Sequence, residues 1–144
     1  MEFEGPYHIG VGVEDLEAAM ADLEDFGIRW TPIQTRNRPM MSPDGPFDAE
    51  LRFVYSLEGP PHIELVDAPA GGKLAPTTWH LGYWVQDLPA ATRHMVDRGA
   101  TVTLRYEGPE DRPTSFVYVT LPSGVTLELV DAARRDALRE MLGA

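Results

Sequence analysis

Apolar and polar residues alternate through the opening stretch Tyr7-His8-Ile9-Gly10-Val11-Gly12-Val13. This period of two predicts a strand whose row Ile9, Val11 and Val13 is buried and whose opposite face carries His8, Gly10 and Gly12. The period then changes. Leu16, Ala19, Met20, Leu23 and Phe26 recur at three- and four-residue spacing, which predicts a short helix with one buried stripe, capped by Asp15 and ended at Gly27. Three more extended stretches follow, near residues 28–36, 48–57 and 61–67, with the turn clusters SPDGP and LEGPP between them. The unit reads βαβββ.

The same unit then recurs. Residues 7–27 align without gaps to residues 79–99 at an offset of 79 − 7 = 72, and nine of the 21 positions are identical, His8/His80, Gly10/Gly82, Asp15/Asp87 and Gly27/Gly99 among them. A second match pairs HIELVDA at 62–68 with TLELVDA at 126–132, at an offset of 126 − 62 = 64. The second unit supplies extended stretches near 100–107, 113–121 and 125–131. A duplicated unit fixes architecture more firmly than local propensity does. The fold class is therefore α+β, one domain over residues 1–144. It comprises module one at about 5–67, a Pro/Gly/Ala-rich connector at 68–77, module two at about 78–131 and a closing packing helix at about 132–142.

Strand parity then sorts the polar residues. Ile63 and Leu65 pair inward and leave His62, Glu64 and Val66 opposite; Leu127 and Leu129 leave Thr126, Glu128 and Val130; Leu81, Tyr83 and Val85 leave His80, Gly82 and Trp84. His8, Glu64, His80 and Glu128 thus share one kind of face. Taken singly, each reads as a solvated residue on a polar strand face. Recurrence of both residue types at matching repeat positions favours a joint role instead. Two carboxylates in one cleft would suffer a desolvation cost of roughly several kcal/mol per ion, and a divalent cation held by His and carboxylate removes it. The same parity puts Arg52, Trp84, Phe116 and Tyr118 on that face as candidate substrate contacts. For Arg52 the partner of an exposed acid on this acidic surface is the favoured reading over an anion contact, and Trp84 and Phe116 read equally as packing at a module or subunit interface. His62 shares the face of Glu64, but its repeat counterpart is Thr126.

Composition narrows the chemistry. The chain has 12 Lys and Arg against 23 Asp and Glu, a formal net charge of −11, which disfavours nucleic acid and anionic membrane surfaces as partners. It contains no Cys, so thiolate metal sites, iron–sulfur clusters and cysteine nucleophiles are excluded and any metal is held by N and O ligands. With no long apolar run and no basic-then-apolar start, the chain reads as cytoplasmic. Gly10-Val11-Gly12 begins like a dinucleotide fingerprint, but Asp15 stands where the third glycine belongs.

The segments YHIGVGVEDLEAA, WHLGYWVQDLPAA and FVYVTLPSGVTLELVD, in this order, resemble the vicinal oxygen chelate superfamily. That group includes glyoxalase I, methylmalonyl-CoA epimerase, extradiol dioxygenases and the bleomycin and fosfomycin resistance proteins. The resemblance implies a cupped mixed sheet built by the two modules around one divalent ion (Ni, Co, Mn, Fe or Zn), held by His8, Glu64, His80 and Glu128. It further implies a homodimer acting on a small molecule, and glyoxalase-like isomerase, epimerase or lyase chemistry in which Glu128, or else Glu64, moves an α-proton. Glutathione-using glyoxalases carry an Arg where this chain has Gly12, and the epimerases usually have Gln where it has Glu64, so neither substrate class is implied. An extradiol dioxygenase, which uses one carboxylate rather than two, and a metal-free binding or resistance protein are the alternatives.

Overall fold

The computed structural model describes residues 2–69 and 71–143. Each half of the chain folds as the repeat predicts. The first comprises β1 (Glu4–Val13), α1 (Leu16–Glu24), β2 (Gln34–Ser42), β3 (Gly45–Tyr55) and β4 (His62–Asp67). The second comprises β5 (Trp79–Val85), α2 (Leu88–Asp97), β6 (Thr101–Tyr106), β7 (Phe116–Thr120) and β8 (Thr126–Asp131). Both helices start where a carboxylate accepts an otherwise orphaned amide: Asp15 from the Ala18 N–H and Asp87 from the Ala90 N–H, each at 3.0 Å. Gly27 and Gly99, at φ +85° and +96°, turn the chain out of the two helices into the next strand, a conformation that β-carbon-bearing residues resist.

The eight strands close into a barrel in the order β1-β4-β3-β2-β6-β7-β8-β5. Within each module the first strand runs parallel to the last, and the remaining pairs are antiparallel. The modules join along two seams. The long one pairs β1 with β5 antiparallel through Ile9↔Leu81; the short one pairs β2 with β6 at Met40↔Tyr106 and Met41↔Arg105. Helices cover the outside of the barrel: Leu16 packs on Val54 and Leu65, while Leu88, Ala91 and Met95 pack on Val117, Val119 and Leu129. A third cluster, rich in aromatics, fills the interior.

The first hairpin differs from expectation. Strand β2 lies at 34–42 rather than near 28–36, because Ser42-Pro43-Asp44-Gly45 makes a tight turn with Ser42 paired to Gly45, and both strands run from that turn. Sequence periodicity hid this, since Arg36, Asn37, Arg38 and Pro39 break any simple apolar row. Helix α1 also stops at Glu24, so Phe26 stands outside the buried stripe and is 81% exposed.

The closing helix has more than a packing role. Residues Ala132–Arg134 form a 3₁₀ turn and Arg135–Leu142 form α3, which lays Leu138 and Met141 over the open end of the barrel. The connector likewise carries structure, a 3₁₀ turn at Ala75–Thr77.

Leu129 is fully buried between α2 and the barrel wall, so Leu129→Ala is expected to cost about 3 kcal/mol of unfolding free energy, by lost burial plus the cavity left behind. Phe26→Ala is expected to stay within about 0.5 kcal/mol. Urea denaturation followed by circular dichroism checks both.

Candidate metal centre

The long seam builds the site. In the β1/β5 register His8 lies opposite Gly82, and Gly10 lies opposite His80. Each imidazole therefore crosses the seam over a residue that has no side chain. The crossing leaves no room for one: a β-carbon on Gly10 would sit 1.9 Å from the His80 ring, and one on Gly82 would sit 2.0 Å from the His8 ring. The repeated His-x-Gly motif is thus two interlocked pairs, each histidine resting on the other module's glycine.

The neighbouring strands complete two equivalent rows. Glu64 on β4 pairs with Gly10 in the parallel ladder and Glu128 on β8 pairs with Gly82. On the far side Tyr55 pairs with Glu64 and Tyr118 with Glu128. Each row reads Tyr–Glu–Gly–His across four strands, and the two rows face each other inside the barrel.

All four donor residues are buried, and one ligand atom from each lies within 4.8 Å of all the others. His8 Nε2 is 3.1 Å from His80 Nε2, 3.4 Å from Glu64 Oε1 and 3.1 Å from Glu128 Oε1. His80 Nε2 is 3.0 Å from Glu64 Oε1 and 3.3 Å from Glu128 Oε1. Donors about 2.1 Å from a common ion lie roughly 3.0–3.4 Å apart at octahedral or tetrahedral angles, so the observed edges suit a first-row divalent ion. Two imidazoles and two carboxylates are also the N/O chemistry such ions take. The connector sets the orientation of one ligand: His80 Nδ1 lies 3.1 Å from the Thr77 carbonyl, to which its N–H donates, and this points Nε2 inward.

Without an ion, hydrogen bonds between the imidazoles and the carboxylates shift His80 and Glu128. Burial opposes the charge on His80, but hydrogen bonding to Glu128 and Glu64 outweighs it and pushes its pKa up to about 10. Burial likewise opposes the charge on Glu128, yet His8 and His80 hold its carboxyl well below the usual carboxylate range. Burial, reinforced by the negative field of Glu64 and Glu128, pushes the hydroxyls of Tyr7, Tyr55 and Tyr118 up, so all three stay neutral and able to donate. Tyr118 Oη lies 3.5 Å from His80 Nε2.

Above the four donors is a cavity of about 90 Å³, with Glu64 and Glu128 on its floor. Trp84, Phe116 and Tyr118 line it, with Trp84 stacked on Tyr7 at 3.8 Å between ring centroids. Arg52 does not. It points out of the barrel, bonds Asp67 at 3.0 Å and pairs with Glu17 of α1. The parity argument failed on β3 because that strand's apolar row, Leu51, Phe53 and Tyr55, faces the cavity, while Val54 packs beneath α1. The part of the cavity wall that β3 supplies is apolar and aromatic, so apolar parity on that strand marks the inside. Sequence did carry a signal for this. Phe53-Val54-Tyr55 repeats as Phe116-Val117-Tyr118, which makes Phe53 and Tyr55 the module-one counterparts of two expected pocket residues. Tyr7, Arg36 and Arg134 also line the cavity without having been expected there. His62 turns away from it, with Nδ1 2.8 Å from the Ser56 carbonyl.

Gly82→Ala is expected to push His8 off the cluster and weaken divalent-ion binding roughly 100-fold, on the scale of losing a group that orients a ligand; titration calorimetry with Co(II) reads it. Because the folded pKa of His80 exceeds its unfolded value of 6.5, its protonation stabilises the ion-free fold below that pH, and the contribution is lost as pH rises through about 10. Loading an ion at pH 7 is therefore expected to expel about one proton per site, measurable by calorimetry in buffers of differing ionisation enthalpy.

Comparison with known proteins bears on this geometry. The family model for the glyoxalase/bleomycin resistance protein/dioxygenase superfamily matches residues 7–119. Among solved structures, methylmalonyl-CoA epimerase from Mycobacterium tuberculosis superposes with a TM-score of 0.54 at 19% identity, over 94% of this chain and 91% of that one. A hypothetical protein, BH1468 from Bacillus halodurans C-125, superposes with a TM-score of 0.53 at 12% identity, over 90% of this chain and 93% of that one. No curated protein sequence matches the chain. The duplicated βαβββ barrel and the match over most of the chain place it in one group: it belongs to the glyoxalase/bleomycin resistance protein/dioxygenase superfamily.

Proposed function

We propose that the chain is a divalent-metal-dependent isomerase, epimerase or lyase of glyoxalase type, acting on a small carbonyl compound with an exchangeable α-proton. The observation that carries this reading is the buried four-donor cluster at the floor of a cavity. A bound ion would serve as a Lewis acid, stabilising negative charge on a carbonyl oxygen as the neighbouring carbon loses its proton. His8, Glu64, His80 and Glu128 would hold it, and the two carboxylates would neutralise its charge.

The remaining work falls to the chain's own residues. A six-coordinate ion held by these four donors would have two positions left for oxygens of a substrate. Glu128 is the first choice of base and Glu64 the second. Both reach the cavity, and the Glu128 side chain, 10% exposed against 6% for Glu64, is the more open to it. Tyr118 pairs with Glu128 across the β7/β8 ladder and is a neutral donor that can steady the carboxylate. Trp84, Phe116, Phe53 and Leu138 exclude water from the space above. A second carboxylate in the donor set works against dioxygenase chemistry, which needs an extra open position for oxygen. All four donors come from one chain, so the homodimer implied by the family resemblance is not needed to complete the site. No helix among the described residues is long and apolar enough to cross a membrane, and a cytoplasmic location is part of the same proposal.

Elemental mass spectrometry of the purified protein is expected to find about one divalent ion per chain, lost in His8→Ala and Glu128→Ala. Glu128→Gln is expected to slow α-proton exchange in deuterated water, followed by NMR, by roughly 10²–10⁴-fold. A wild-type protein that neither carries nor takes up Mn, Co, Ni or Zn would overturn the reading in favour of metal-free ligand binding.

A further inference from the structure

Cations are scarce in this chain, 12 against 23 acids, and their placement is uneven. Arg29, Arg52, Arg135 and Arg139 are each paired with a carboxylate. The other eight cations have no ion-pair partner among the described residues, and of these only Arg36 and Arg134 line the cavity. An arginine at an acidic protein's cavity with no acid to bind is available for a ligand.

Their positions follow from the fold. Arg36 pairs with Leu51 in the β2/β3 ladder and so shares the inward face of Leu51 and Phe53, with its guanidinium 5.6 Å from the Phe53 ring centroid. One of its donors bonds the Thr35 carbonyl at 3.1 Å; a guanidinium has five N–H groups, so the others are free to bind a ligand. Arg134 ends the 3₁₀ turn before α3. With Ala137, Leu138 and Met141 it forms the i, i+3, i+4, i+7 stripe that faces the cavity, whereas Arg135 and Arg139 lie off that stripe and bond Glu4 and Asp136. Among the described residues the only acids lining the cavity are Glu64 and Glu128, and these would be neutralised by a bound ion.

The asymmetry is informative. The four donor residues obey the internal repeat, so the cluster alone cannot distinguish one end of a chelating substrate from the other. Arg134 breaks the repeat, since the 64-residue offset that matches Glu64 to Glu128 sets it against Ala70. We infer that the substrate is an anion: a compact carbonyl compound bearing a carboxylate or phosphate, held by Arg36 and Arg134 while its vicinal oxygens face the four-donor cluster. This inference rests on the metal-chelation reading above. Arg suits both oxyanions because its fork of N–H groups bonds two oxygens at once. A cavity of about 90 Å³ keeps the anionic group within a few bonds of the carbonyl.

Three hydroxamates that share one chelating head and differ only in the tail test it against the cobalt-loaded protein, with binding read from the visible absorption of the metal. Butyrohydroxamic acid has no charged tail, succinic monohydroxamic acid ends in a carboxylate, and 3-phosphonopropionohydroxamic acid ends in a phosphonate. At least one tailed probe is expected to bind the wild type ~10-fold or more tighter than the neutral one, as charge-assisted hydrogen bonds to a guanidinium allow. Whichever tail gains more identifies the oxyanion. In Arg36→Gln and Arg134→Gln that advantage is expected to shrink by ~10-fold, about 1.4 kcal/mol, with the neutral probe's affinity held, which also shows that the variants are folded. Equal affinity of tailed and neutral probes for the wild type, or an advantage unchanged in both variants, overturns the anion inference and leaves metal chelation standing. Failure of every probe to perturb the cobalt spectrum overturns the chelation reading and the anion inference with it.

Discussion

The site depends on one steric constraint, the crossing of two imidazoles over two glycines at the β1/β5 seam. Antiparallel pairing sets His8 against Gly82 and Gly10 against His80, and only an absent side chain lets each ring lie across the opposite strand. That crossing brings the Nε2 atoms to 3.1 Å. It also fixes where the carboxylates arrive, because Glu64 and Glu128 stand beside those same glycines in the parallel ladders. Register, rather than any loop, assembles the centre, so its precision is that of a sheet. Sites held on regular elements keep their geometry better than sites carried on loops.

Electrostatics gives the arrangement its cost and its use. Two carboxylates are buried side by side, a configuration that the barrel alone would not tolerate. The imidazoles offset it in the ion-free protein, at the expense of holding His80 protonated far above its ordinary range. A divalent ion held there would offset both carboxylates without the His80 proton. In the proposed reaction the polar floor and the aromatic walls would divide the work: chelation and proton movement at the base of the cavity, and exclusion of water by Trp84, Phe116 and Leu138 above it. Helix α3 belongs to this second function as much as to packing, since its Leu138 and Met141 close the barrel mouth.

Much of this was legible because duplication leaves a double record. The repeat gave the two βαβββ modules, the helix caps at Asp15 and Asp87, and the shared face of His8, Glu64, His80 and Glu128. It was least informative where the modules diverge. Strand β2 and the turn after it have no close copy in module two, and there the strand boundaries moved; on β3 only Phe53-Val54-Tyr55 recurs, and the neighbouring Arg52 proved to bond Glu17 and Asp67 outside the barrel. Reading apolar parity as helix-facing assumes a single buried face. Strand β3 has two, one beneath α1 and one lining the cavity.

By itself the sequence determined the fold class, the tandem modules and the common face of His8, Glu64, His80 and Glu128, because strand periodicity and internal repetition are local properties of the chain. Only the tertiary structure decided that the two modules close into one barrel within a single chain, that the four donors meet within 4.8 Å, and that Tyr7, Tyr55, Arg36 and Arg134 surround them. Those outcomes depend on which strand edges pair between modules and on where the C-terminal helix lands. Both are settled by packing across long sequence separations, which no local period records.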